Sequence, residues 1–150
     1  MTRSRLAALP LGCALAVIAV PSALGDIDPV RISVAAPARV TVGKTASITV
    51  TVDADKGAFD SSSAPITVRA KLAHACGGDF DGTNGLVAVD APLTPQPAAG
   101  AALHAIAKGK RKLTKRSTYD LCVFVTDADG RQFASDIDNT ITVRKAPKKH

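Results

Sequence analysis

The sequence predicts an all-β domain built from two packed sheets, and three observations support this prediction. All 13 acidic residues are Asp and none is Glu, so a strong helix former is missing while a turn former is frequent. Several segments alternate apolar and polar residues with a period of two, as strands with one buried face do. Turn signals separate these segments at short intervals. We therefore expect one two-sheet antiparallel sandwich of about seven strands and no helix within the 150 residues.

Residues 1–25 are expected to be a secretory signal peptide. Two early Arg residues precede an apolar run over residues 6–20, which is shorter than the ~20 residues that a membrane span needs. Small residues before Gly25 favour cleavage after it. An uncleaved anchor is the alternative, and lipidation of Cys13 is disfavoured because apolar leader sequence follows it. The mature chain then has no transmembrane segment, and we expect it to be secreted or held at the cell surface.

The first half of the mature chain holds three predicted strands. Residues 30–42 form a first strand that is kinked at an Ala-Ala-Pro break. Residues 45–53 are the clearest strand, since Ala46, Ile48, Val50 and Val52 alternate with Ser and Thr. In residues 66–72 the apolar positions alternate with Thr, Arg and Lys.

The second half holds four more predicted strands. Residues 86–89 form a short one, and the three prolines in residues 91–100 exclude a central strand, so a loop or an edge crossing is expected there. Residues 101–108 and 118–126 follow, and the Asp-Ala-Asp-Gly sequence at 127–130 indicates a turn between strands. The last strand runs through Ile141 and Val143.

Four stretches resemble the immunoglobulin-like sandwich of small secreted bacterial proteins. They are VTVGK, SITVTVDA, STYDLCVFVTDADG and TITVRK, within roughly residues 29–145. The resemblance implies one domain over residues 26–145, with the strand that carries Tyr119 central in one sheet. The sequence departs from the antibody pattern, because it has no Trp and its first mature Cys follows the third strand.

Cys76 and Cys122 are the two cysteines of the mature chain, and export favours a disulfide between them over two buried free thiols. If Tyr119, Leu121 and Val123 face the core, Cys122 points away from it. The bridge is therefore expected on the outer side of one sheet, where it joins neighbouring strands or a loop to a strand.

Weak calcium candidates are Asp79, Asp81 and Asn84, which lie close together in a Gly-rich segment. The spacing is incomplete, since a calcium-binding hand needs a Glu where Asp90 stands. A turn held by bonds from Asp to the backbone is the simpler interpretation. His74 and Cys76 are too isolated for a structural zinc site. We expect no cofactor.

Charge is distributed unevenly along the chain. Residues 26–107 hold six basic and eight acidic residues, whereas residues 108–150 hold 11 basic and five acidic ones. A polyanion could bind the densest part, which comprises Lys110, Arg111, Lys112, Lys115 and Arg116. The alternative is a solvated hairpin with a disordered basic tail over residues 146–150. Nucleic acid is not an expected partner after export.

The preferred interpretation is an exported, non-catalytic immunoglobulin-like domain with a structural or recognition role. Its partner would be an unknown protein or an envelope glycan, and the oligomeric state stays open. The second hypothesis is a polyanion- or envelope-binding module that uses residues 108–116. A small hydrolase is the third and least favoured, because no strained elbow presents Ser61, Ser62 or Ser63.

Overall fold

The computed structural model describes residues 28–148, and every regular element in that range is a strand. The strands are β1 (Val30–Ala35), β2 (Arg39–Thr41), β3 (Thr45–Ala54), β4 (Thr67–Ala73), β5 (Gly85–Pro92), β6 (Leu103–Lys112), β7 (Thr118–Thr126) and β8 (Gln132–Arg144). Within this range no helix has the length and apolar character to cross a bilayer. The predicted signal peptide, with Cys13 and the cleavage site at Gly25, lies outside the described residues.

The strands form two sheets, which confirms the all-β, two-sheet prediction. One sheet has three strands in the order β1-β3-β6, and the other has five in the order β2-β8-β7-β4-β5. Strand β7 lies in the middle of the five-stranded sheet, and β1 and β6 are the edges of the three-stranded one. The strand limits inferred from alternation agree best for β3, β4 and β7, in which every second residue from Ala46, Val68 and Tyr119 onward is buried.

The antiparallel, seven-strand prediction is wrong at the start of the chain. The kinked first strand is two strands in different sheets, because the break at residues 36–38 lets the chain cross between them. β1 pairs with β3 in the antiparallel sense, whereas β2 pairs with β8 in parallel, with Val40 opposite Val143. Pro37 favours this break, since it has no N–H to offer to a ladder.

One apolar core fills the space between the sheets and takes residues from all eight strands. Ile48, Val50 and Val52 of β3 and Leu121 and Val123 of β7 all belong to it, and each is at most 1% exposed. Burying such a side chain completely stabilises the fold by about 1.5–3 kcal/mol. The alternation seen in the sequence is therefore the pattern of this core.

On one side the two sheets come together at β5 and β6. The backbone of β5 passes so close to Gly109 that a Cβ atom there would lie 2.9 Å from the Cα of Val89 and still closer to the carbonyl of Ala88. Thr94 then pairs with Ile106 as an isolated bridge. The proline-rich segment therefore makes the edge crossing that the sequence allowed.

The segment between β4 and β5, residues 74–84, folds back over the outer face of the five-stranded sheet, and we call it the covering loop. A disulfide joins Cys76 in this loop to Cys122 on β7. Cys122 packs with Phe80 and Phe124 in a second, smaller apolar cluster on that face. The bridge thus joins a loop to a strand on the outer side of one sheet, as the parity argument predicted.

Candidate functional site

The five predicted polyanion-binding residues do not lie in one loop. Lys110, Arg111 and Lys112 belong to β6, so the hairpin expected there is shorter than the sequence suggested. Leu103, Ala105 and Ala107 of the same strand are buried, and by alternation Arg111 also turns inward, where it is half-buried. Lys110 and Lys112 are exposed on the outer face of the three-stranded sheet. Lys115 and Arg116 lie in the turn between β6 and β7.

Backbone hydrogen bonds bring three separate segments together at this end of the sandwich. Gly43 N donates to Leu113 O at 2.7 Å, and Leu113 N donates to Lys44 O at 3.0 Å. Val143 N donates to Ser117 O at 2.7 Å. The turn before β3, the turn after β6 and the end of β8 are therefore neighbours.

We call this region, residues 38–48, 110–118 and 141–148, the basic end. Its segments contain ten basic residues and no acidic residue. They are Arg39, Lys44, Lys110, Arg111, Lys112, Lys115, Arg116, Arg144, Lys145 and Lys148. None of the ten takes part in an ion pair with a described residue. Their charges are consequently uncompensated within the described part of the chain.

The opposite end of the sandwich is acidic. Residues 28–31, 53–63 and 127–131 contain six Asp and three basic residues. Asp53 lies opposite His104 at one end of the β3–β6 ladder, and Thr45 lies opposite Lys112 at the other. A ten-residue strand spans about 33 Å. The molecule therefore separates positive from negative charge along its strands.

A groove opens beside the basic end, between the start of the covering loop and the turn after β6. Its volume is about 360 Å³.

 

The walls of this groove combine charge with flat apolar surface. Arg111, Lys112 and Lys115 are the basic residues of the lining, and Arg111 Nη1 donates a long hydrogen bond to Val87 O at 3.4 Å. His74 stacks on Tyr119, with ring centroids 5.3 Å apart and planes inclined by 19°. His74 Nδ1 lies 3.2 Å from Thr118 O, which directs Nε2 away from the backbone. Asn84 adds an amide to the same lining.

The three calcium candidates do not converge on one point. Asp79 accepts a hydrogen bond from Gly82 N at 2.6 Å, and its own carbonyl accepts one from the hydroxyl of Thr83 at 2.7 Å. Asp81 is exposed and lies 3.9 Å from Arg69, while Asn84 lines the groove. Residues 28–148 contain no group of three or more His, Cys, Asp or Glu side chains that could hold a metal ion. The contacts of Asp79 are those of a turn.

The carboxylate of Asp127 organises the turn between β7 and β8. It accepts hydrogen bonds from the backbone N–H groups of Asp129 at 3.0 Å, Arg131 at 2.8 Å and Ser63 at 3.3 Å. Burial raises the pKa of Asp127, but these three donors and the charge of Arg131 together outweigh it and hold the pKa below its ordinary value.

The residues that a hydrolase would need are spread over different regions. Ser62 bonds to Phe59 O, Ser63 bonds to Asp129, and Ser61 accepts from Arg131. His104 lies 2.6 Å from Asp53 on the exposed face of the three-stranded sheet. No described serine hydrogen-bonds to a histidine, and the groove that His74 lines has no Asp or Ser in its walls.

Part of this site could not be predicted from the sequence. Lys110 and Arg111 are adjacent in one basic run, although alternation along β6 places their side chains on opposite faces. His74 beside Cys76 suggests a metal ligand and Tyr119 a core residue, and no local pattern connects either of them with the basic segment. Lys44 could have been found as a lone cation in the turn before a strand, but the contacts that bring it to Leu113 are not visible in the sequence.

Comparisons with known proteins show likeness in structure but none in sequence. No protein-family model and no curated protein matches the sequence. Among solved structures, the fold is similar to the CARDB domain of a Pyrococcus furiosus protein, which was solved in complex with di-metal ions. The TM-score is 0.49 and the sequence identity 15%, over 78% of this chain and 94% of that one.

Proposed function

We propose that this protein is an exported, non-catalytic immunoglobulin-like domain that binds an anionic polymer of the cell envelope or its surroundings through the basic end. The observation that carries the proposal is the gathering of ten basic residues, with no acidic residue, in three segments that meet at one end of the sandwich. Because these charges are many and of one sign, the expected partner is a chain or surface that carries repeated negative charges.

The strand order supports the immunoglobulin-like part of the proposal. The first segment of the described chain contributes to both sheets, through β1 in one and β2 in the other. Strand β7, which carries the buried Tyr119, is central in the larger sheet. The disulfide supports export, because such bonds persist mainly in oxidising compartments. Among the described residues no serine hydrogen-bonds to a histidine, which supports a role without catalysis.

Electrostatics explains how such a surface binds. A single exposed ion pair contributes only about 0–1 kcal/mol, but an array of cations facing a polyanion releases many counterions at once and speeds the encounter. The acidic end adds orientation, since it is repelled by the same polymer. We therefore expect end-on binding that weakens as salt rises.

A matched pair of variants tests the proposal. Arg116→Gln with Arg144→Gln removes two charges from the basic end, and Arg31→Gln with Lys56→Gln removes two from the acidic end. On immobilised heparin and on polyphosphate, we expect the first variant to elute at clearly lower salt than the wild type and the second to elute close to it. Equal shifts for the two variants, or no retention of the wild-type protein, would refute the proposal.

A further inference from the structure

The groove beside the basic end differs from the rest of that surface, because its cations stand next to flat and apolar groups. Lys110 projects from an open sheet face outside the groove, whereas Arg111 is half-buried and donates a hydrogen bond to Val87 O. Opposite the cations lies the stacked pair of His74 and Tyr119. A bare phosphate gains nothing from such a wall, whereas a sugar ring has an apolar face that can pack on it.

We propose that this groove binds a single carboxylate-bearing sugar unit of an acidic polysaccharide. The carboxylate lies between Arg111 and Lys115, the sugar ring packs on the exposed face of His74, and Asn84 hydrogen-bonds to a ring hydroxyl. This inference rests on the proposed function and adds the chemical class of the ligand. The groove, at about 360 Å³, is near the lower limit of the range of roughly 300–1,000 Å³ for small-molecule sites, so one part of the polymer enters it.

Each group has a distinct task in this arrangement. The guanidinium of Arg111 can offer two parallel N–H donors to one carboxylate, which an ammonium group cannot do. Its hydrogen bond to Val87 O limits its freedom before the ligand arrives, which lowers the entropic cost of binding. Tyr119 is only 7% exposed and supports the His74 ring from beneath. The remaining cations of the basic end attract the polymer without selecting its chemistry.

The test compares adjacent substitutions of equal charge. Binding of the folded protein to an oligogalacturonate, to its methyl ester and to polyphosphate is measured by calorimetry at one salt concentration. Arg111→Gln is expected to weaken oligogalacturonate binding about tenfold, the loss of one charge-assisted hydrogen-bonded pair. Lys110→Gln, with the same loss of charge on the opposite face, is expected to weaken it about twofold or less. Melting temperatures close to that of the wild type show that both variants fold.

A further variant separates sugar recognition from attraction of charge. His74→Ala is expected to weaken binding of the oligogalacturonate several-fold and to leave polyphosphate binding unchanged, and the methyl ester is expected to bind poorly because it has no carboxylate. Equal effects of Arg111→Gln and Lys110→Gln, or equal effects of His74→Ala on both polymers, would refute sugar binding in the groove. The proposed function would still stand. A wild-type protein that binds neither polymer overturns both.

Discussion

The side chain of Asp127 shows how one carboxylate can hold a turn and link stability to pH. Its folded-state pKa is lowered, so the ionised form is bound more favourably in the folded protein than in the unfolded chain. This stabilisation is complete above the unfolded pKa, whose ordinary value is 3.8, and it is lost as the pH falls through the lower folded pKa. Acid should therefore loosen the turn between β7 and β8.

Replacing Asp127 by Asn should lower the stability near neutral pH and weaken its dependence on pH in the acid range. The neutral amide has one acceptor oxygen, so it cannot accept all three backbone hydrogen bonds that the ionised carboxylate accepts. It also does not titrate. Urea unfolding followed from neutral to strongly acid pH measures both effects. Asp138→Asn is the control, because this exposed side chain makes no hydrogen bond within the described residues; a loss of stability equal to that of Asp127→Asn would contradict the argument.

The direction of the Arg111 side chain could be predicted from the sequence only in part. Its inward direction follows from the alternation of Leu103, Ala105 and Ala107, once the strand is extended past Lys108. From the sequence the strand is predicted to end at Lys108, because three of the next five residues are Lys or Arg, as in a solvated loop. Pairing with β3 over ten residues continues the strand instead, and neither this pairing nor the approach of His74 is a local property.

Among the elements, β5 and β6 make the closest contact between the two sheets. Gly109 lies at the crossing, and the backbone at Ala88 and Val89 occupies the space that any side chain would require. The close approach closes one side of the sandwich without a hydrogen-bonded ladder along the whole edge.

Gly109→Ala should therefore destabilise the protein by about 1–3 kcal/mol, the usual cost of forcing extra volume into a packed site. Chemical denaturation measures the loss. Gly78→Ala is the matched control, because its added Cβ would meet no atom within 4 Å and no left-handed backbone is required there; we expect it to be neutral or slightly stabilising. Similar losses for the two variants would show that space at the crossing is not the cause.

The strands differ in how closely their limits could be predicted from the sequence. β3 and β7 could be predicted closely, because β3 alternates over its ten residues and β7 has an apolar residue at every second position from Tyr119 to Val125. β2 could not, because its three residues pair with β8 about a hundred positions later and in parallel. β5 was predicted too short, since Pro92 is tolerated at its end only because β5 is an edge strand.

In the molecule as a whole, the disulfide restrains the unfolded chain more than it restrains the native core. Cys76 and Cys122 are 46 positions apart, and closing a loop of this length stabilises the folded state by about 4 kcal/mol in the chain-entropy model. The single core takes side chains from every strand, so we expect the protein to unfold in one cooperative step.

Replacing both Cys76 and Cys122 by Ala should lower the free energy of unfolding by about 4 kcal/mol, with a smaller loss if the unfolded chain is already compact. Denaturant titration measures this loss, and hydrogen exchange should show the covering loop opening first, because its link to β7 is gone. The wild-type protein under reducing conditions provides the comparison. A double variant as stable as the oxidised protein, with its loop still protected, would contradict the prediction.

The parallel pairing of β2 with β8 determines how the domain responds to mechanical tension. β1 begins at the acidic end, and β8 ends at the basic end, so a pull on the two ends of the described chain acts along the strands. It slides β2 and β8 past each other in shear, and the hydrogen bonds between them carry the load together instead of rupturing one after another. A domain tethered to a polymer by its basic end would thus meet an external force in the direction in which this short strand pair resists it best.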